Sequence, residues 1–189
     1  MNFTHEKQQF LKKPDKSSIH GIDKDILALV KKINSKSEYY TTSSCSGRII
    51  LMKETGKKQE KVFLFKSHSK IKLEQLKNAL NSALKSYKGM VYLKLEPCIM
   101  HIACKDFASA IKLTNIARNS GWKKSGIISR KNIVEMLSTE YLACPVADKG
   151  KIIVDNNYLK ILLDESNKKL NQTKQKIKQL EKSISKNEP

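Results

Sequence analysis

No apolar run in this chain approaches the roughly 20 residues that a bilayer-spanning helix needs. The opening residues Met1-Asn2-Phe3-Thr4-His5-Glu6-Lys7 lack the apolar stretch of a secretory leader. A soluble, cytoplasmic protein is the expectation. Cysteine is scarce: Cys45, Cys98, Cys104 and Cys144 include no C-x-x-C pair. Zinc-ribbon, thioredoxin-like and iron–sulfur readings therefore lack support, and reduced thiols are expected. The 7 glycines form neither G-x-G-x-x-G nor G-x-x-x-x-G-K-[ST], which removes the two common glycine-rich nucleotide cradles. A C-x5-R phosphate loop is also absent, because Leu51 stands six residues after Cys45. Acidic residues are few: 18 Asp and Glu face 37 Lys and Arg, a net charge of +19. Such an excess predicts attraction to a polyanion, nucleic acid first. A lysine-rich composition inherited from an AT-rich genome gives the same number, and both readings can hold.

What is present suffices for a core, with 39% hydrophobic residues over 189 positions. A first helix is predicted over about 4–12, stopping before Pro14, and a polar connection over 15–21. A second helix carries Ile22, Ile26, Leu29, Val30 and Ile33 at helical spacing. The period then changes. Residues 39–42 and 48–53 read as strands around a Ser/Cys/Gly turn, followed by a loop containing Gly56 and a strand over 62–65. Leu73, Leu76, Leu80, Ala83, Leu84 and Tyr87 mark a long amphipathic helix, with Gly89 suited to a left-handed cap. Strands are expected at 90–95 and 98–104, the latter apolar on both faces and so central. A helix over 107–119 has Asp106 as its N-cap and Gly121 as its C′ residue. Short strands follow near 126–129, 134–137, 141–144 and 152–154, and then one long helix. The pattern is α+β, with mixed sheets, two strand–helix–strand units and no Rossmann core. The expected organisation is one catalytic domain over 1–156, with 62–95 and 98–129 as candidates for an internal duplication. The basic C-terminal helix, 157–189, is expected to pack on it and end in a frayed tail.

The chemically densest stretch is Tyr39-Tyr40-Thr41-Thr42-Ser43-Ser44-Cys45-Ser46-Gly47-Arg48. Hydroxyls at Ser43, Ser44 and Ser46, close backbone approach at Gly47 and the fork of Arg48 suit an anionic group. The same residues also suit a turn whose hydroxyls bond their own backbone. Cys45 is a conceivable nucleophile, though no base is visible beside it. His101 sits in an apolar strand whose mouth carries Glu96, an imidazole and a carboxylate near one sheet edge. A satisfied core histidine is the alternative. His68, within Lys66-Ser67-His68-Ser69, and Lys124-Ser125, after Trp122 and Lys123, are candidate anion contacts. Trp122 is core or a stacking platform for a base.

In chain order, Asp23 through Asn34 leading to YYTTSSCSGRI, Ser67-His68, LEPCIMHIAC at 95–104, GWKKSGII at 121–128, LSTEYLACP at 137–145 and GKIIVDNNYL at 150–159 form one pattern. It resembles the tRNA wybutosine-synthesizing protein 3 family, over nearly the whole chain. One departure is the lack of a tryptophan before His68, where Phe63 and Phe65 stand instead. The resemblance implies an α+β fold distinct from the common methyltransferase fold. It further implies N4-methylation of a wybutosine precursor beside the anticodon of phenylalanine tRNA, with S-adenosyl-L-methionine as donor and no metal. On that reading Ser43, Ser44, Ser46, Gly47 and Arg48 are expected to bind the cofactor or a phosphate. Asp23, Glu96 and His101 become candidates for proton handling, and His68, Lys124 and Ser125 for substrate contacts. The partner is the anticodon loop of the tRNA, and the oligomeric state is left open. The alternatives are a non-enzymatic basic RNA-binding protein and a Cys45-dependent hydrolase or transferase.

Overall fold

A computed structural model describes residues 2–12, 21–54 and 62–186. Most of the polar connection expected after the first helix, the loop at Gly56 and the last three residues lie outside them. The chain is α+β, and two compact units partition it. The first comprises Met1–Ser46, Cys98–Thr139 and Thr173–Pro189; the second comprises Gly47–Pro97 and Glu140–Gln172.

In the first unit, β1 (Tyr39–Cys45), β5 (Ile99–Cys104), β7 (Ile133–Leu137) and β6 (Gly126–Ser129) form a sheet in that spatial order. Helices α1 (Phe3–Leu11), α2 (Leu27–Ser35) and α4 (Phe107–Asn119) belong to it, as does the last part of α5 (Asn156–Lys186). Its core gathers Leu29, Val30 and Ile33 of α2, Met100 and Ile102 of β5, Val134 and Met136 of β7, and Ile177, Leu180 and Ile184 of α5. Trp122 is fully buried there, its Nε1–H donating to the Lys176 carbonyl at 3.3 Å, so it is a core residue. The strand at 98–104 is interior, as its apolar composition predicts. Asp106 Oδ1 accepts from the Ser109 N–H at 2.8 Å, and Gly121 at φ 90° follows α4, so that helix begins and ends where its caps predict.

In the second unit the sheet order is β3 (Phe63–Ser67), β2 (Arg48–Lys53), β4 (Val91–Glu96), β8 (Leu142–Asp148) and β9 (Lys151–Ile152). Its core packs Ile49, Leu51, Leu93 and Leu95 against α3 (Leu73–Ser86) and against Leu159, Leu163 and Leu170 of α5. Gly89 is not a left-handed cap, because only Gly47, Gly121 and Gly150 have positive φ among the described glycines. A Cβ at Gly89 would stand 2.5 Å from the Tyr87 hydroxyl oxygen, so glycine there makes room for that ring.

The Ser/Cys/Gly bend is no hairpin: β1 pairs with β5, whereas β2 pairs with β3 and β4 in the other sheet. Gly47, at φ 88°, turns the chain from one sheet to the other. The strand–helix–strand stretches β3-α3-β4 and β5-α4-β6 also share a plan. In each, the two strands run parallel but are separated by a third, β2 or β7, so every ladder is antiparallel. Among the described residues no helix is long and apolar enough to cross a membrane.

Candidate functional site

Side chains on neighbouring strands meet when their registers align, and β1, β5, β7 and β6 align three polar residues and a glycine in one row. Ser43 lies opposite His101, His101 opposite Glu135, and Glu135 opposite Gly126. A bulge between Thr41 and Ser43 sets this parity on β1. The row faces away from the core, since Met100, Ile102, Val134 and Met136 occupy the opposite parity. Ser43 Oγ is 2.8 Å from His101 Nδ1, and His101 Nε2 is 3.0 Å from Glu135 Oε2. Both members of the His101–Glu135 pair remain about 30% exposed. An ionised Glu135 can only accept, which places the ring hydrogen on Nε2 and leaves Nδ1 as the basic nitrogen that receives the Ser43 hydroxyl. At the end of the row, among the described residues and apart from its chain neighbours, no atom lies within 4 Å of a Cβ added at Gly126.

Beside this row Tyr40 is buried, and its hydroxyl donates to Glu6 of α1 at 3.0 Å. Burial, then the Glu6 carboxylate, pushes the Tyr40 phenol up to about 12, so it stays neutral. Two ends of the serine-rich bend are fixed differently. Ser46 is fully buried, and both its N–H and its hydroxyl donate to Asp23 Oδ2, at 2.8 and 3.0 Å. Asp23 thus anchors the bend through Ser46. Ser44 is half-buried on β1.

In the second unit, Arg48 and Glu96 face each other across β2 and β4, and Arg48 Nε donates to Glu96 Oε2 at 2.7 Å. The Arg48 guanidinium also lies over the Phe63 ring, 4.6 Å from its centroid. Among the described residues the ion pair uses Nε, which leaves the donors of the terminal nitrogens outside it. His68 Nδ1 approaches the Gly47 carbonyl at 3.0 Å. Lys124 is exposed in the turn before β6, whereas Ser125 is buried. The Ser125 hydroxyl accepts from the Leu137 N–H at 3.3 Å and its carbonyl accepts from Arg118 Nε at 2.9 Å. The structure therefore joins Ser43 with His101, Ser46 with Asp23, Arg48 with Glu96, and Gly47 with His68. His101 and Glu96, expected near one sheet edge as a pair, bond separately to Glu135 and Arg48.

The family described as Methyltransferase TYW3 matches residues 5–186. A Methanocaldococcus jannaschii relative named tRNA(Phe) 7-((3-amino-3-carboxypropyl)-4-demethylwyosine(37)-N(4))-methyltransferase is 39% identical over 182 residues, covering 93% of each chain. The chain belongs to the TYW3 methyltransferase family. A Xenopus laevis member named tRNA wybutosine-synthesizing protein 3 homolog is 37% identical over 183 residues, covering 93% of this chain and 71% of that one. A solved Pyrococcus horikoshii protein superposes with a TM-score of 0.84 at 33% identity, covering 98% of this chain and 95% of that one.

Methyl transfer in the TYW3 family calls for a donor site and a group that handles the proton of the nitrogen. In the first unit Ser44 offers a hydroxyl donor, and in the second the Arg48 guanidinium offers a planar fork of the kind that binds carboxylates. Glu135, which pattern reading missed, is the carboxylate that orients His101. Its one sequence signal is its position as the polar residue between Val134 and Met136 in an alternating strand. Cys104 is buried, and burial, then the Asp106 charge, pushes its thiol up to about 12, so it stays protonated near neutral pH.

Proposed function

We propose that this chain is a cytoplasmic S-adenosyl-L-methionine-dependent methyltransferase acting on N4 of 7-(3-amino-3-carboxypropyl)-4-demethylwyosine in phenylalanine tRNA. The observation that carries this reading is similarity across almost the whole of both chains to the archaeal relative bearing that name. S-adenosyl-L-methionine, when bound, supplies an electrophilic methyl group. The chain's own residues position the nucleotide and take up the proton that N4 loses. Ser43 Oγ accepts the N4 proton while its own proton passes to His101 Nδ1. The imidazolium so formed is stabilised by Glu135 at Nε2. Ser44 holds the anionic end of the methyl donor, while in the second unit Glu96 accepts from Arg48 Nε and the guanidinium lies over the Phe63 ring. Asp23 and Ser46 keep the bend in shape. His68 and Lys124 contact the RNA, and Ser125 supports the turn that carries Lys124.

The test is direct. The protein, cofactor labelled in its methyl group and phenylalanine tRNA carrying the demethylated precursor should yield labelled tRNA, with the label on N4 of that nucleotide. Absence of incorporation, while the M. jannaschii relative labels the same tRNA, overturns the reading.

A further inference from the structure

From Phe107 to Val134 the chain carries six cations and no acidic residue. Asp106 and Glu135 bound this acid-free stretch of 28 residues. Its structure lies wholly within the first unit and includes β6, an edge strand of the sheet. Lys123 and Lys124 occupy the turn that enters β6, and Arg130 and Lys131 the turn that leaves it. All four are exposed. Among the described residues none of the four side chains forms an ion pair. The other two cations are placed differently: Arg118 donates to the Ser125 carbonyl and holds the first turn in shape, and Lys112 sits on α4.

The two cation pairs are thus separated by the length of β6, about 13 Å for four residues at roughly 3.3 Å each. Both turns are fixed. Ser125 ties the first to β7 through Leu137, and Asn132, at φ 56°, closes the second with its N–H bonded to the Ser129 carbonyl at 3.1 Å. Between them Gly126 stands beside Glu135, at the end of the Ser43–His101–Glu135 row. A polyanion with regularly spaced charges matches two cation pairs held at a fixed distance, whereas a single small anion would engage one pair alone.

We infer that the two turns flanking β6 form a ridge that binds the sugar–phosphate backbone of the tRNA and delivers the modified nucleotide toward the polar row. The inference rests on the proposed function for its partner. Phosphate contacts of this kind position a nucleic acid without reading its sequence.

The experiment compares two fourfold variants of the full chain. One carries Lys123→Gln, Lys124→Gln, Arg130→Gln and Lys131→Gln. The control removes four equally exposed cations of α5, with Lys160→Gln, Lys178→Gln, Lys182→Gln and Lys186→Gln. Binding of labelled phenylalanine tRNA is followed by anisotropy across a salt series. The slope of log affinity against log salt should shrink by about 3 for the ridge variant, at roughly 0.7 per lost single-strand phosphate contact, and by less than 1 for the control. The KM for tRNA should rise about tenfold or more with kcat retained, as expected when uniform binding is lost. An unchanged slope, or equal losses in both variants, overturns the ridge. The two double variants, one for each turn, carry the same test should the fourfold variant misfold. Failure of the wild-type chain to transfer methyl groups would sink the proposed function while the binding series still judged the ridge.

Discussion

His101 is held through both ring nitrogens, and its two partners come from strands on either side of it. Ser43 sits at Nδ1 and Glu135 at Nε2, so the proposed base is oriented by a third group that never needs to touch substrate. Replacing Glu135 with glutamine keeps the shape but removes the charge that stabilises the imidazolium. Glu135→Gln should lower kcat about ten- to a hundredfold with little change in KM, a fraction of what a positioned acid–base group contributes. His101→Ala should cost more. The double variant should be no slower than His101→Ala alone, because Glu135 acts through His101. A purely structural Glu135 would instead lower the melting temperature, and its effect would add to that of His101→Ala. Nothing local in the sequence assigns these partners. Alternation places Glu135 on the polar side of β7, but only the register of three strands, one of them bulged, puts it opposite His101. Likewise Asp23 and Ser46, 23 residues apart, both read as chemical candidates, and the structure joins them as an anchor.

The elements were far easier to read than their partners. Apolar spacing and caps locate α3, α4 and most strands, because those signals are local. The bend at 43–48 shows the limit: a hairpin turn and a switch between sheets use the same serines and glycine, and long-range pairing decides between them. Caps, being local, also allow a prediction for one element. The Asp106 carboxyl is held below its ordinary range by the Ser109 backbone N–H and then its hydroxyl. A depressed folded-state value stabilises the protein above the unfolded value, near pH 3.9, and the contribution disappears as pH falls through the folded value. Asp106→Ala should therefore lower the melting temperature at pH 7, and the gap from wild type should narrow as the pH falls below the ordinary aspartate range. A gap that persists undiminished in acid would show that the cap acts without its charge.

At the scale of the whole molecule, connectivity matters more than any one contact. The chain passes between its units after Ser46, Pro97, Thr139 and Gln172, so the first unit is assembled from three separate segments. Its last segment is the end of α5, which contributes Ile177, Leu180 and Ile184 to the first core. The first half of the same helix places Leu159, Leu163 and Leu170 in the second core. From sequence this helix reads as one long amphipathic element packed on a body, and periodicity cannot show that its stripe serves two cores in succession. Ending the chain at Gln172 would strip three large aliphatic side chains from the first core. At about 1.5–3 kcal/mol for each fully buried one, the loss is roughly 5–9 kcal/mol. That is comparable to the whole stability of an ordinary domain, about 5–15 kcal/mol. Hydrogen exchange on a chain of residues 1–172 should therefore show protection lost from the amides of β1, β5 and β7 and retained in β2, β4 and β8. Protection retained in β5 would mean that the remaining segments of the first unit hold their sheet without the end of α5.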